Sequence, residues 1–330
     1  MVIMDCTLRD GANVVGKGFD AALTKSMIKG LIGCGITTIE MGNCLGLGAY
    51  EADGSIAPCT DEEYLQLIEP YLPHAEIGMF FGYKNVTQAN VDLAKKYGLK
   101  FLRIGANAGD GAKACEGVRL VKAAGIKCRY SLMKGYILSP EELADEVRML
   151  ADCGLDGVTI MDSAGTMMPD QVTQYVKALK AAVDIPVAFH GHNNLGLSVA
   201  NAIAALEGGA DEFDCGLLGM ARSAGNCATE LLVATFQRLG YFPEVDLYKL
   251  LGYLDAELIP AMEERNYHTF VKPYDLILGL AGCHSSFSGL FNQIAVEFGV
   301  SVYRLIVAVS AIDRKAPSAE LIRRIAAELR

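Results

Sequence analysis

Eight short β-prone runs, each followed by a stretch with helical apolar spacing, succeed one another along about the first 240 residues. The runs are 2–8, 37–41, 76–81, 101–106, 127–133, 157–161, 187–192 and 212–217. Strands that alternate with helices lie parallel, because each helix returns the chain to the start of the next strand. Eight such units in this length match an α/β fold of one kind, the closed (β/α)8 TIM barrel. An open doubly wound sheet is the competing arrangement, but its glycine-rich GxGxxG turn after the first strand is absent.

The helix signals between the runs are specific. A helix is expected over 19–34. Ser139-Pro140-Glu141 opens another, with proline in the first turn where no N–H is missed. Met168-Pro169-Asp170 opens a third, and 197–207 closes on Gly208-Gly209. After Gly240 the alternation stops, and helices are expected over 245–264, 274–281, 289–298, 303–309 and 317–329. The chain therefore divides into a catalytic barrel, 1–242, and a helical C-terminal domain, 243–330, that packs on it.

Composition narrows the partners. The 29 Lys+Arg against 39 Asp+Glu give a formal charge of −10, which argues against a nucleic-acid binder held by phosphate contacts. Apolar runs such as 305–309 are far short of the ~18 residues of a membrane span. Met1-Val2-Ile3-Met4-Asp5 lacks the basic start of an export signal, and the ten Cys contain no CxxC pair. These features suit free thiols in a reducing cytoplasm. A chain of this mass, folded as one body, is expected to expose roughly 13,000 Å².

In such barrels the chemistry gathers where strands end. Polar residues do concentrate there: Arg9 and Asp10 after the first run, Glu40 after the second, Arg103 and Asn107 at the fourth, His190 and His192 on the seventh. Residues two apart on a strand share a face, so both imidazoles project together with Gly191 between them. A core pair satisfied by backbone is one reading of His190 and His192. With the carboxylate of Asp10, on the first strand next to the last in a closed barrel, the favoured reading is an open divalent-metal site. Arg9 can fork onto a carboxylate or 2-oxo group with Glu40 orienting it, or the two can simply pair in the rim. Arg103 and Asn107 either line the pocket, contacting substrate, or pair within the rim.

Thr7-Leu8-Arg9-Asp10-Gly11, Glu40, His190-Gly191-His192-Asn193-Asn194-Leu195-Gly196 and Gly225-Asn226 together resemble the DRE-TIM metallolyases, the HMG-CoA lyase-like superfamily. Asp162-Ser163-Ala164-Gly165, the run 192–205 and Ser285-Ser286-Phe287 look most like its 4-hydroxy-2-oxovalerate aldolase branch, over nearly the whole chain. The resemblance implies that Asp10, His190 and His192 bind a divalent ion, Mn²⁺ or Mg²⁺ ahead of Zn²⁺, with Asn226 beside it. It implies that Arg9 contacts the enolate oxygen, Glu40 supports Arg9, and Ser163 holds the substrate carboxylate. A helix cap is the plain alternative for Asn226. The implied reaction cleaves or forms a 4-hydroxy-2-oxo acid from pyruvate enolate and an aldehyde, in a homo-oligomer that works with an acylating aldehyde dehydrogenase.

Two positions depart from that branch. It carries His where this chain has Asn13, which cannot abstract a proton, and Tyr where this chain has His284. His284 is therefore either the relocated acid/base or a residue packed in the helical domain. The rival functions are a Claisen-type synthase joining an acyl-CoA to a 2-oxo acid, and a barrel left without catalysis by the loss at Asn13.

Overall fold

The β-prone runs form strands β1 Val2–Asp5, β2 Thr38–Met41, β3 Glu76–Gly82, β4 Phe101–Asn107, β5 Lys127–Met133, β6 Gly157–Asp162, β7 Val187–Gly191 and β8 Glu212–Cys215 in the computed structural model. All neighbours pair in parallel, and β8 closes on β1 through the register Val2 to Glu212 and Asp5 to Cys215. The structure describes residues 1–52, 54–267 and 273–330; His268 lies outside the described residues.

The strands are buried on both faces, because helices cover one and the barrel interior the other, so they read as mostly apolar runs broken by a few charged residues that pair inside the barrel. The helices begin where local chemistry satisfies their first N–H groups. The Asp20 carboxylate caps Ala21–Cys34 at Leu23 N, and Ser139 with Glu142 forms a capping box ahead of Pro140–Asp152. Gly35 and Gly209 end their helices in the left-handed conformation.

The expected helix over 245–264 is interrupted. It runs Leu247–Tyr253, widens into a π-helical segment at Leu254–Leu258, and resumes as Ile259–Glu263. Pro260 supplies the reason, since it lacks an N–H and its ring crowds the carbonyl four residues earlier. Leu250, Leu254, Leu258 and Met262 from this stretch share the barrel's apolar core. Helices Pro273–Ala281, Ser288–Phe298, Val302–Ser310 and Ala319–Glu328 bury a core of their own around Phe291, Leu305, Ile306 and Ile322. The total surface of 13235 Å² is what one compact body of this mass exposes. Among the described residues no single helix is long and apolar enough to cross a membrane.

Candidate active site

Charge runs up the inside of the barrel. Arg103, the third residue of β4, is fully buried and forks onto Glu40, with Nε to Oε2 at 2.6 Å and Nη2 to Oε1 at 2.7 Å. Its Nη1 donates to Asp214 on β8. Arg103 thus lies beneath the cavity rather than on its wall, and the expectation that it touches substrate is corrected by its depth. Asn107, at the end of β4, is likewise absent from the cavity lining. Paired carboxylates make the buried guanidinium tolerable.

β1 stops at Asp5, and Cys6 to Asp10 turn: the N–H groups of Arg9 and Asp10 both donate to the Cys6 carbonyl. That turn aims Arg9 and Asp10 inward. Arg9 Nε donates to Glu40 Oε1 at 2.6 Å, and Nη1 lies 3.0 Å from Asp10 Oδ1. Its Nη2 is buried and has no hydrogen-bond partner among the described residues. Arg9 also lies over the Phe80 ring, 5.0 Å from its centroid. Burial would raise the Asp10 and Glu40 pKa values, but Arg9 beside both, the two imidazoles at Asp10 and Arg103 at Glu40 hold the carboxylates below their ordinary range.

His190 and His192 stand with Asp10 so that one ligand atom of each lies within 4.8 Å of the others. His190 Nδ1–H donates to Asp214 Oδ2 at 3.0 Å, which turns Nε2 toward Asp10 Oδ2, 3.5 Å away. That Nε2 is buried and makes no hydrogen bond, as a ligand nitrogen would be before it meets a cation. A second grouping, Cys6, His190 and Asp214, shares the same imidazole. Cys6 is kept a thiol by burial and by the neighbouring Asp214, so it is the poorer ligand.

Asn226 does not cap the helix that follows, Thr229–Arg238, which Ala228 precedes. Its Nδ2 donates to Asp10 Oδ2 at 2.8 Å, and its Oδ1 is buried without a partner. Gly225 makes this placement possible: its φ is 85°, and a Cβ there would sit 2.1 Å from the Gly219 carbonyl. Asn13 donates Nδ2 to the Asp10 carbonyl at 2.8 Å and accepts from Arg222 Nε at 2.9 Å.

A cavity of about 220 Å³ opens over these groups, lined by Arg9, Asp10, His190 and His192 with Phe80, Met133, Met161, Cys44, Ser163, Arg222 and His284. Ser163 Oγ accepts the N–H of Lys134 at 2.9 Å, so its own proton is free to be donated. Burial raises the Cys44 pKa, leaving an inert thiol. His284 precedes the turn Ser285–Phe287 and is half-buried. Its Nδ1 lies 2.8 Å from Ser286 Oγ and accepts the Ser286 N–H at 3.2 Å. That pattern assigns the proton to Nε2. Burial, with Arg222, His192 and Lys134 nearby, pulls the His284 pKa down to about 3, so the ring is a neutral donor rather than a titrating acid/base.

Two groups escaped the sequence reading. Asp214 was detectable as a second acid two residues after Glu212 on one face of a short apolar strand. Arg222 sits in a loop whose path the sequence does not reveal.

The HMGL-like family model matches residues 102–256. The 4-hydroxy-2-oxovalerate aldolase of Carboxydothermus hydrogenoformans is 33% identical over 99% of this chain and 96% of its own length. That of Serratia proteamaculans is 32% identical over 100% of this chain and 98% of its own. Among solved structures, the carboxyl transferase domain of Rhizobium etli pyruvate carboxylase superposes with a TM-score of 0.79 at 15% identity, covering 100% of this chain and 61% of that one. At that identity the likeness is one of fold.

Proposed function

The chain belongs to the HMGL-like family, and within it to the 4-hydroxy-2-oxovalerate aldolases, and from that premise we propose that it cleaves or forms the bond between pyruvate and an aldehyde in a 4-hydroxy-2-oxo acid. It is a metal-dependent aldolase, a carbon–carbon lyase. The observation that carries the substrate class is Arg9 Nη2: a buried, unbonded donor beside the Asp10, His190 and His192 cluster, with the other two nitrogens of the guanidinium already held by carboxylates.

Two imidazoles and one carboxylate fit a divalent ion and leave positions for substrate oxygens and water. Oxygen-rich coordination favours Mn²⁺ or Mg²⁺ over Zn²⁺. Such an ion supplies Lewis-acid charge for the carboxylate and ketone oxygens of a 2-oxo acid. Arg9 donates Nη2–H to the ketone oxygen as it takes on enolate charge, and Glu40 and Asp10 keep the guanidinium from swinging away. Ser163 donates to the substrate carboxylate. In the addition direction His284 donates a hydrogen bond from Nε2–H to the aldehyde oxygen as that oxygen becomes an alkoxide with the new bond, a neutral donor where a charged one would not survive burial. Water gives that oxygen its proton, and in cleavage takes the proton from the 4-hydroxyl as its oxygen becomes the aldehyde carbonyl. Asn226 and Asn13 fix the Asp10 carboxylate from two sides, so Asn13 is a positioning residue, consistent with an amide's inability to accept the proton.

The proposal extends to a catalytic barrel over 1–242 with a helical domain over 243–330 that delivers His284, to a homo-oligomer, and to an aldehyde dehydrogenase that takes the aldehyde product. Cytoplasmic residence is supported by ten cysteines that are all free. The relatives carry the aldolase name, so neither the Claisen-type synthase nor a non-catalytic barrel is favoured.

The test is pyruvate release from 4-hydroxy-2-oxo acids with Mn²⁺ or Mg²⁺ added, against a chelator control. Wild-type protein should release pyruvate and aldehyde only with metal. His284→Ala should lose roughly 10²–10³-fold in kcat with metal affinity intact. Thiol release from acetyl-CoA and a 2-oxo acid, without pyruvate formation, would overturn the aldolase reading.

A further inference from the structure

Arg222 is the second guanidinium of the cavity, and its surroundings differ from those of Arg9. Arg9 has Glu40 at 2.6 Å and Asp10 at 3.0 Å. Arg222 pairs with no carboxylate among the described residues, and its one hydrogen bond there runs from Nε to the neutral amide of Asn13 at 2.9 Å. That amide cannot turn round. Its Nδ2 is committed to the Asp10 carbonyl at 2.8 Å and to Asp10 Oδ1 at 3.3 Å, so its oxygen faces Arg222. With Nε occupied, the Nη1 and Nη2 edge of Arg222 is left for a ligand.

A half-buried cation without a counter-charge in a narrow cleft is a poor stability element and a good anion site. It also stands beside His284, on whose ring it is the foremost of the neighbouring charges. Arg9 and the Asp10, His190 and His192 cluster take the 2-oxo acid end, while Arg222 shares the cavity with His284, whose assigned partner is the 4-hydroxyl oxygen. A planar two-donor edge matches a carboxylate. A phosphate would call on more donors than this one group, and the cavity of about 220 Å³ is below the ~300 Å³ at which drug-sized sites begin.

We infer that Arg222 binds a second carboxylate on the aldehyde-derived end of the substrate, so that the preferred substrate is a 4-hydroxy-2-oxo dicarboxylic acid and the aldehyde partner of pyruvate itself carries a carboxylate. This rests on the aldolase reading for the placement of the first carboxylate. Asn13 then has a definite role, holding Arg222 in position while it braces Asp10.

The experiment is calorimetric titration of the Mn²⁺-loaded protein with 2-oxoglutarate and 2-oxoadipate against 2-oxopentanoate and 2-oxohexanoate, pairs equal in carbon number. Dicarboxylates should bind about tenfold or more tighter, the effect of one charge-assisted contact. Arg222→Met should bring each pair within about twofold, and Arg222→Lys should restore part of the preference as a point charge. The kcat/KM ratio for pyruvate addition to succinic semialdehyde over butanal should collapse in the same variants. Equal binding within each pair by the wild-type protein, or a preference that survives in Arg222→Met, overturns the assignment. If Arg222→Met does not fold, the wild-type preference and its reduction in Arg222→Lys decide. A dicarboxylate preference that depends on Arg222 in a protein that turns over no aldehyde would leave the anion site standing and remove the aldolase substrate class.

Discussion

His190 and His192 leave the same strand two residues apart, yet their surroundings push them in opposite directions. Burial pulls both pKa values down. At His190 the Asp214 hydrogen bond and the close carboxylates of Asp10 and Asp214 outweigh it and the value is raised, whereas His192, with His190, Arg222 and Arg9 adding to burial, falls to about 4. In the metal-free protein His190 therefore keeps its proton to a higher pH than an ordinary histidine, and an arriving cation must displace it. Mn²⁺ affinity should be flat above the raised His190 pKa and fall about tenfold per pH unit below it, with one proton released per ion bound there. Calorimetry in buffers of different ionisation enthalpy reads both, and an affinity unchanged from about pH 8 to about pH 5 would contradict it. Asp214→Asn should weaken Mn²⁺ binding by about 10- to 100-fold, although Asp214 is not one of the three clustered ligands, because it orients the imidazole.

Among the elements, the helix Asp61–Ile68 carries a charge problem at its first residue. Asp61 is 3% exposed; Oδ2 accepts the Gly48 N–H at 2.7 Å, and Oδ1 has no partner. Burial raises its pKa to about 6, so the folded protein holds a proton that the unfolded chain has lost. Stability from this group is therefore greatest below the unfolded pKa and declines as pH rises to about 6, then levels. Asp61→Asn keeps the acceptor for Gly48 without the charge. It should match wild type near pH 4 and exceed it by on the order of 2 kcal/mol near pH 8 in denaturant melts; a gap of the same size at both pH values would show that ionisation is not the cause. All eight strands were legible because apolar runs and cap signals are local. Strand ends were not: β1 was expected to reach Leu8, but apolar residues serve a turn as well as a strand, and the turn at Cys6 to Asp10 is what aims the site. Arg103 was recognised as unusual and placed too high, because depth in a barrel depends on stagger between strands, here Phe101 against Gly78 and Lys127, which no single strand encodes. The shared face of His190 and His192 was readable from alternation on one strand, whereas the link from Asn13 to Arg222 joins two loops and needed coordinates.

For the whole molecule, a formal charge of −10 opposes the approach of anionic acids, so capture depends on positive groups confined to the barrel mouth. Arg9 and Arg222 come from the barrel, but His284 arrives on the C-terminal helices, and the two parts must be held in register for the cavity to exist. Lys134 is the residue placed to do this. It directly follows β5 in the left-handed conformation, φ 57°, a strained choice for a side chain with a Cβ. Its N–H donates to Ser163 Oγ, its Nζ donates to the Lys315 carbonyl at 2.6 Å, and the ammonium lies 5.3 Å from the centre of the Phe287 ring, three residues from His284. Lys134→Met keeps the apolar stem and removes both contacts of the ammonium, leaving the Lys315 carbonyl without its partner. The loss should cost about 1–3 kcal/mol in melts. It should lower kcat/KM, because the segment that carries His284 loses its brace while the backbone N–H that holds Ser163 is kept, and Mn²⁺ affinity stays at the wild-type level, since Asp10, His190 and His192 all stand on the barrel. Metal binding and activity falling together in that variant would mean that the substitution disturbs the barrel itself, and Lys134 would then be a packing residue rather than the tie between the two halves of the site.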